Sequence, residues 1–103
     1  MDIDKLLSEI SRNFLSNYLI KDKSNFFICI TDKAKQYKVK IEEPNKLIDK
    51  DINLDSDLCL EIDINEAIEL SEGRNNVENS LFNGKIKLLG NLEILNSILR
   101  ILK

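Results

Sequence analysis

Asp57-Leu-Cys-Leu-Glu-Ile-Asp63 places Leu58, Leu60 and Ile62 on one side and Asp57, Cys59, Glu61 and Asp63 on the other. A two-residue period of this kind predicts a strand with one packed face and one wet face. From Asn65 the period lengthens to that of a helix. Asp63 or Asn65 can cap it, Ala67, Ile68 and Leu70 share a face, and Gly73 ends it. Val77, Leu81 and Phe82 predict a second short helical segment, stopped by Asn83-Gly84. Gly84 to Leu89 then predicts a last strand, because Ile86 and Leu88 alternate with Lys85 and Lys87.

Gly90-Asn91 is expected to open a closing helix over Leu92 to Leu102. Leu92, Ile94, Leu95, Ile98, Leu99, Ile101 and Leu102 take one half of its circumference, and Glu93, Asn96, Ser97, Arg100 and Lys103 the other. Burying each such Leu or Ile contributes roughly 1.5–3 kcal/mol, so this face is committed to an apolar surface. No residue of 57–103 reads as a catalyst, and the combination points to a container.

Working back toward the start, Ile3, Leu6, Leu7, Ile10, Phe14, Leu15 and Tyr18 recur at three- and four-residue steps. They predict a helix from about Asp4 to Leu19, with Asp2 as its cap. Phe26-Phe-Ile-Cys-Ile-Thr31 is a short continuous apolar run suited to a central strand. After a turn at Asp32-Lys-Ala-Lys35, Tyr37, Val39 and Ile41 alternate with Gln36, Lys38, Lys40 and Glu42, which completes a hairpin. Glu43-Pro44-Asn45 is expected to break this strand, with Lys46 to Asp49 as a short edge strand. Strands and helices together define an α+β class, and 103 residues hold a single domain over 1–103.

The net charge of -3 and the interspersed lysines leave no concentrated basic face, which argues against nucleic acid and against a strong anionic-membrane anchor. At most transient membrane contact is expected. Met1-Asp-Ile-Asp-Lys5 has no basic start and no apolar core behind it, so it does not read as a signal peptide. Two cysteines far apart in sequence suit a reducing compartment, and a cytoplasmic location is expected.

Several chemical motifs come near and fail. The series Asp49, Asp51, Asn53, Asp55, Asp57 resembles the start of a calcium loop. Counted from Asp49, however, Leu54 and Leu60 stand where Gly and a bidentate acid are needed. Cys29 and Cys59 have no C-x-x-C spacing and no His to join them, so they read as plain thiols on strands. Lacking His, the chain also lacks the usual general base near neutral pH. Around Gly84-Lys85 a phosphate loop would need Gly at Asn79 and Ser or Thr at Ile86. An enzyme would have to rely on a metal that no motif reveals or on an acid pair such as Glu66 and Glu69. No metal or other cofactor is expected.

From Asp57 onward the chain resembles the lipid-binding domain of the type-2 sterol carrier proteins. Asp57 leads the alternating strand, Gly73-Arg74 stands for the family's Gly-Lys, Gly84-Lys85-Ile86-Lys87-Leu88 matches its strand, and Gly90-Asn91 matches its turn. Val77 replaces a usual Pro, and Leu81 sits where Phe is usual. The first half is similar only in layout. The resemblance implies a sterol-carrier-like sheet of about five strands with helices packed on one face. It also implies an apolar tunnel for lipid and no catalytic residues.

The expected function is thus non-enzymatic binding and transfer of a hydrophobic lipid between the sheet and the C-terminal helix. The ligand would be a fatty acid, acyl-CoA, isoprenoid or sterol-like molecule. Abundant Ile, Asn and Lys match an AT-rich genome and favour the acyl or isoprenoid classes. Leu95, Ile98, Leu99 and Leu102 are the expected lining, with Ile68, Leu81 and Phe82 behind them. The rival is an interaction module in which the closing helix docks on a partner or a second copy, giving a homodimer with no cavity.

Overall fold

The computed structural model describes residues 2–20, 25–49, 51–90 and 99–101, with side chains except at 17–20 and 99–101. Helix α1 (Ile3–Asn17) opens the chain, and the Asp2 carboxylate accepts the Lys5 N–H at 3.2 Å at its start. The helix was expected to reach Leu19. Instead the backbone turns extended over β1 (Tyr18–Ile20), which pairs antiparallel with β7 (Leu99–Ile101), Tyr18 opposite Ile101 and Ile20 opposite Leu99. The same pairing corrects the closing helix: at Leu99–Ile101 the chain is a strand. Aromatic and β-branched residues favour that state, and a partner strand supplies the hydrogen bonds a helix would otherwise provide. The rest of that expected helix lies outside the described residues.

The main sheet has five strands in the order β4-β3-β2-β5-β6. They are β2 (Phe26–Asp32), β3 (Lys35–Lys40), β4 (Glu43–Ile48), β5 (Leu58–Asp63) and β6 (Ile86–Gly90). The central pair, β2 and β5, is parallel with Phe26 opposite Leu58, and the other neighbours are antiparallel. Pro44 does not break the chain out of the sheet as expected, because β4 begins at Glu43. Two circumstances accommodate it: β4 is an edge strand, and its register against β3 shifts between Lys38 and Lys40. Between Asp63 and β6 run α2 (Ile64–Ser71) and α3 (Val77–Phe82). Asp63 caps the first, accepting from the Asn65 N–H at 2.9 Å, and Asn76 caps the second, accepting from Asn79 at 2.8 Å.

Alternation assigns the sheet's two faces. Phe26, Ile28 and Ile30, Val39, Leu58, Leu60, Ile62 and Ile86 join Leu7, Ile10 and Phe14 of α1 and Ala67 and Leu70 of α2 in one buried cluster. The Phe14 and Phe26 rings sit 5.4 Å apart, tilted at 44°, within the offset range that aromatic pairs prefer. Helices thus pack on one face, as expected for this class. The other face departs from a uniformly wet surface. Its charged residues, Lys38 and Glu61, surround buried Phe27, Cys29 and Cys59 at the centre of the sheet.

One glycine is demanded by close approach. At Gly90, φ is +124° and a Cβ would run into the Asp57 carbonyl oxygen. The loop before β5 closes on Asp57 too: its carboxylate accepts the Asn53 N–H at 3.1 Å, and its own N–H donates to the Asn53 carbonyl at 2.8 Å. The calcium-like acidic series is therefore used here as a turn that ties itself off.

Candidate functional site

Of the expected lining residues, Ile68, Leu81 and Phe82 are described with side chains, on α2 and α3. Ile68 and Leu81 are half-buried and pack against the core from α2 and α3. Phe82 is 90% exposed at the end of α3, an unusual placement for a large aromatic side chain. Leu99 lies on β7, while Leu95, Ile98 and Leu102 fall outside the described residues. Ile68 borders a cleft of about 420 Å³ between α1 and α2, whose other walls are Leu6 and the polar Asp2, Lys5, Glu9, Ser71 and Glu72.

The acid pair separates into two unlike environments. Glu66 is buried, and its Oε1 accepts from the Ser80 hydroxyl at 2.7 Å and from Asn75 Nδ2 at 2.8 Å. Asn75 Nδ2 also donates to Ser80 Oγ at 3.0 Å, and Lys85 Nζ stands 3.9 Å from Glu66 Oε2. Every polar group of this triangle has a partner, so it ties α2, the connecting loop and α3 together. Glu69 instead faces solvent and takes Arg74 Nε at 2.6 Å, with Glu72 3.1 Å from the same guanidinium. The Glu69 hydrogen bond, helped by both negative charges, holds Arg74 above its ordinary value. A cleft of about 480 Å³ lies over these groups, lined by Asp63, Asn65, Glu66, Glu69, Arg74, Asn75 and Lys85. Every residue lining it is polar or charged.

A third cleft, about 300 Å³, opens on the sheet's other face and is lined by Cys29, Gln36, Lys38, Asp51, Ile52, Leu54, Cys59, Glu61 and Leu89. Sequence reasoning kept the two thiols apart. The parallel register brings them onto neighbouring strands and the same face, with Phe27 opposite Cys59 and Cys29 opposite Glu61. Both are free thiols. The Cys59 thiol donates a hydrogen bond to Cys29, which lowers Cys29 below the usual thiol value, while that bond and burial push Cys59 far up. Only the matching of two strands 30 residues apart could have disclosed the pairing.

Among the described residues no group of three or more Cys, Asp or Glu is placed to hold a metal ion together. Nor is any helix among them long and apolar enough to cross a membrane. No protein-family model matches the chain, and no curated protein does. Among solved structures, the sterol carrier protein 2 like 2 of Aedes aegypti is similar, with a TM-score of 0.53 and 15% identity over 92% of this chain and 91% of that one. At that identity the likeness speaks for architecture: the chain has the α+β fold of a sterol-carrier-like protein.

Proposed function

We propose that the chain is a non-enzymatic lipid carrier. The observation that carries this reading is the fold, shared over nine-tenths of both chains with a protein described as a sterol carrier. The ligand is a fatty acyl, acyl-CoA or isoprenoid chain held by the helical side of the domain, with Ile68, Leu81, Phe82, Leu95, Ile98, Leu99 and Leu102 as its contacts. Phe82 supports this reading, since a 90% exposed aromatic ring beside half-buried Leu81 is surface that an apolar ligand would cover.

The magnitudes suit a carrier. About 0.8 kcal/mol per buried methylene gives about 8 kcal/mol for a ten-carbon tail, from which association costs of roughly 4–15 kcal/mol are subtracted. Weak, releasable binding follows.

Native mass spectrometry of protein purified without added lipid tests the proposal. A chain carrying the extra mass of one acyl lipid is expected, and added long-chain fatty acid should raise Tm for the wild type but not for Phe82→Ala. Lipid-free protein whose Tm ignores fatty acid would overturn the reading. A ligand-free homodimer under the same conditions would move the assignment to an interaction module.

A further inference from the structure

We propose that Cys29 and Cys59 form a two-thiolate site for a soft monovalent cation, copper(I), on the sheet face away from α1. Three geometric facts carry it. The two residues lie on adjacent central strands, on one face, two positions out of register. Both line the same cleft, and both are almost fully buried, at 3% and 4% exposure. Of the expected lipid contacts described with side chains, Ile68, Leu81 and Phe82, none lines that cleft.

The offset decides between the chemistries open to two thiols. In this parallel pair a two-residue offset, at about 3.3 Å of rise per residue across strands about 4.8 Å apart, separates the Cα atoms by roughly 8 Å. A disulfide needs its Cα atoms closer than about 7 Å, and the central ladder from Phe26 to Asp63 resists the required movement. A cation between the two sulfurs spans a longer gap without moving backbone. Zinc asks for four ligands. Asp51 and Glu61 line the cleft, yet no group of three or more potential ligands comes together among the described residues. Two thiolates alone match copper(I), which prefers soft sulfur donors and accepts two of them.

Binding replaces two S–H bonds by two S–Cu bonds and releases two protons to solvent, with no change of oxidation state. The product, two thiolates around one monovalent cation, carries a single negative charge. Lys38 sits directly opposite Cys29 in the ladder and lines the same cleft, where its ammonium offsets that charge, while Glu61 opposes it.

The test is an anaerobic titration of the whole chain against the coloured complex of copper(I) with bicinchoninate. The wild type should withdraw one copper(I) per chain, more strongly as pH rises, and run at the mass of a monomer plus one copper. X-ray absorption should show two sulfur neighbours and no nitrogen or oxygen. Cys29→Ser and Cys59→Ser should each leave the chelator's colour unchanged, and Lys38→Met should weaken binding by about 10-fold. The wild-type absorption spectrum reads the site even if a serine variant fails to fold. The proposal is overturned if wild type leaves the chelator loaded, if either serine variant competes as well as wild type, if copper links two chains, or if diamide readily closes a Cys29–Cys59 disulfide.

Discussion

Replacing Ser80 by Ala isolates what holds the helical side of the domain together. Ser80 is fully buried, donates to Glu66 at 2.7 Å and accepts from Asn75 at 3.0 Å, so the substitution removes both bonds at once. One of them is charge-assisted and reaches a carboxylate that is only 8% exposed. Such a bond is worth about 1.5–3 kcal/mol, whereas an exposed ion pair gives about 0–1 kcal/mol. Helix α3 has six residues, too few to stand without tertiary support, so the loss falls on its docking. Ser80→Ala is therefore expected to lower Tm by roughly 6–24 °C, at about 4–8 °C per kcal/mol for a domain of this size. Glu69→Ala, on the same helix as Glu66, breaks only the exposed contact with Arg74, whose side chains are 44% and 56% exposed, and should shift Tm by a few degrees at most. Calorimetry on both variants, with Glu66→Gln to close a double-mutant cycle, measures the difference. Equal, small shifts for Ser80→Ala and Glu69→Ala would refute the view that the buried triangle fastens α3.

Gly90→Ala puts a Cβ against the Asp57 carbonyl at a positive φ, so urea unfolding should register a loss of more than about 1–3 kcal/mol. Leu60 is fully buried on the central strand β5, and Leu60→Ala should cost about 2–5 kcal/mol in the same assay. The thiols should part in their pH dependence. Cys29, held below the ordinary thiol value by the Cys59 hydrogen bond, forms thiolate at lower pH, while Cys59, pushed far up, stays protonated. Mass spectrometry after iodoacetamide should find Cys29 labelled first, and Cys59→Ala should move its labelling to higher pH.

The elements with a repeated local pattern were legible. Leu58 to Ile62, Tyr37 to Ile41 and Ile86 to Leu88 show their packed face by alternation alone, and Leu6, Leu7, Ile10 and Phe14 show theirs at helical steps. What stayed hidden was non-local. Leu99-Arg100-Ile101 fits a helix face and a strand equally well, and its choice is made by Tyr18–Ile20, some 80 residues earlier. Pro44 reads as a breaker until the sheet order puts β4 at the edge. Of the candidate lining, Ile68 and Leu81 are half-buried against the core, but nothing in their spacing set Phe82 apart as exposed. The opposite face was hidden for another reason: Asp57, Glu61 and Asp63 made Cys59 look like a member of a wet side, while Cys29 sat in a continuous apolar run that shows no alternation.

The packing also says where a carrier with this fold can put its cargo. Between α1 and the sheet, Leu7, Ile10, Phe14, Phe26, Ile28 and Leu60 are all at 1% exposure or less. An acyl chain entering that layer must displace such side chains, and losing one buried Phe or Leu costs about 2–5 kcal/mol. Two displacements would consume most of the ~8 kcal/mol that ten methylenes provide, before any association cost. Burial then falls away along α2 and α3, from Leu70 at 4% through half-buried Ile68 and Leu81 to Phe82 at 90%. A hydrocarbon chain gains most where it covers apolar surface that the protein leaves open, and that gradient favours the helical flank over the α1 layer. The carrier reading therefore needs no void beneath α1, and a solid core there is compatible with it.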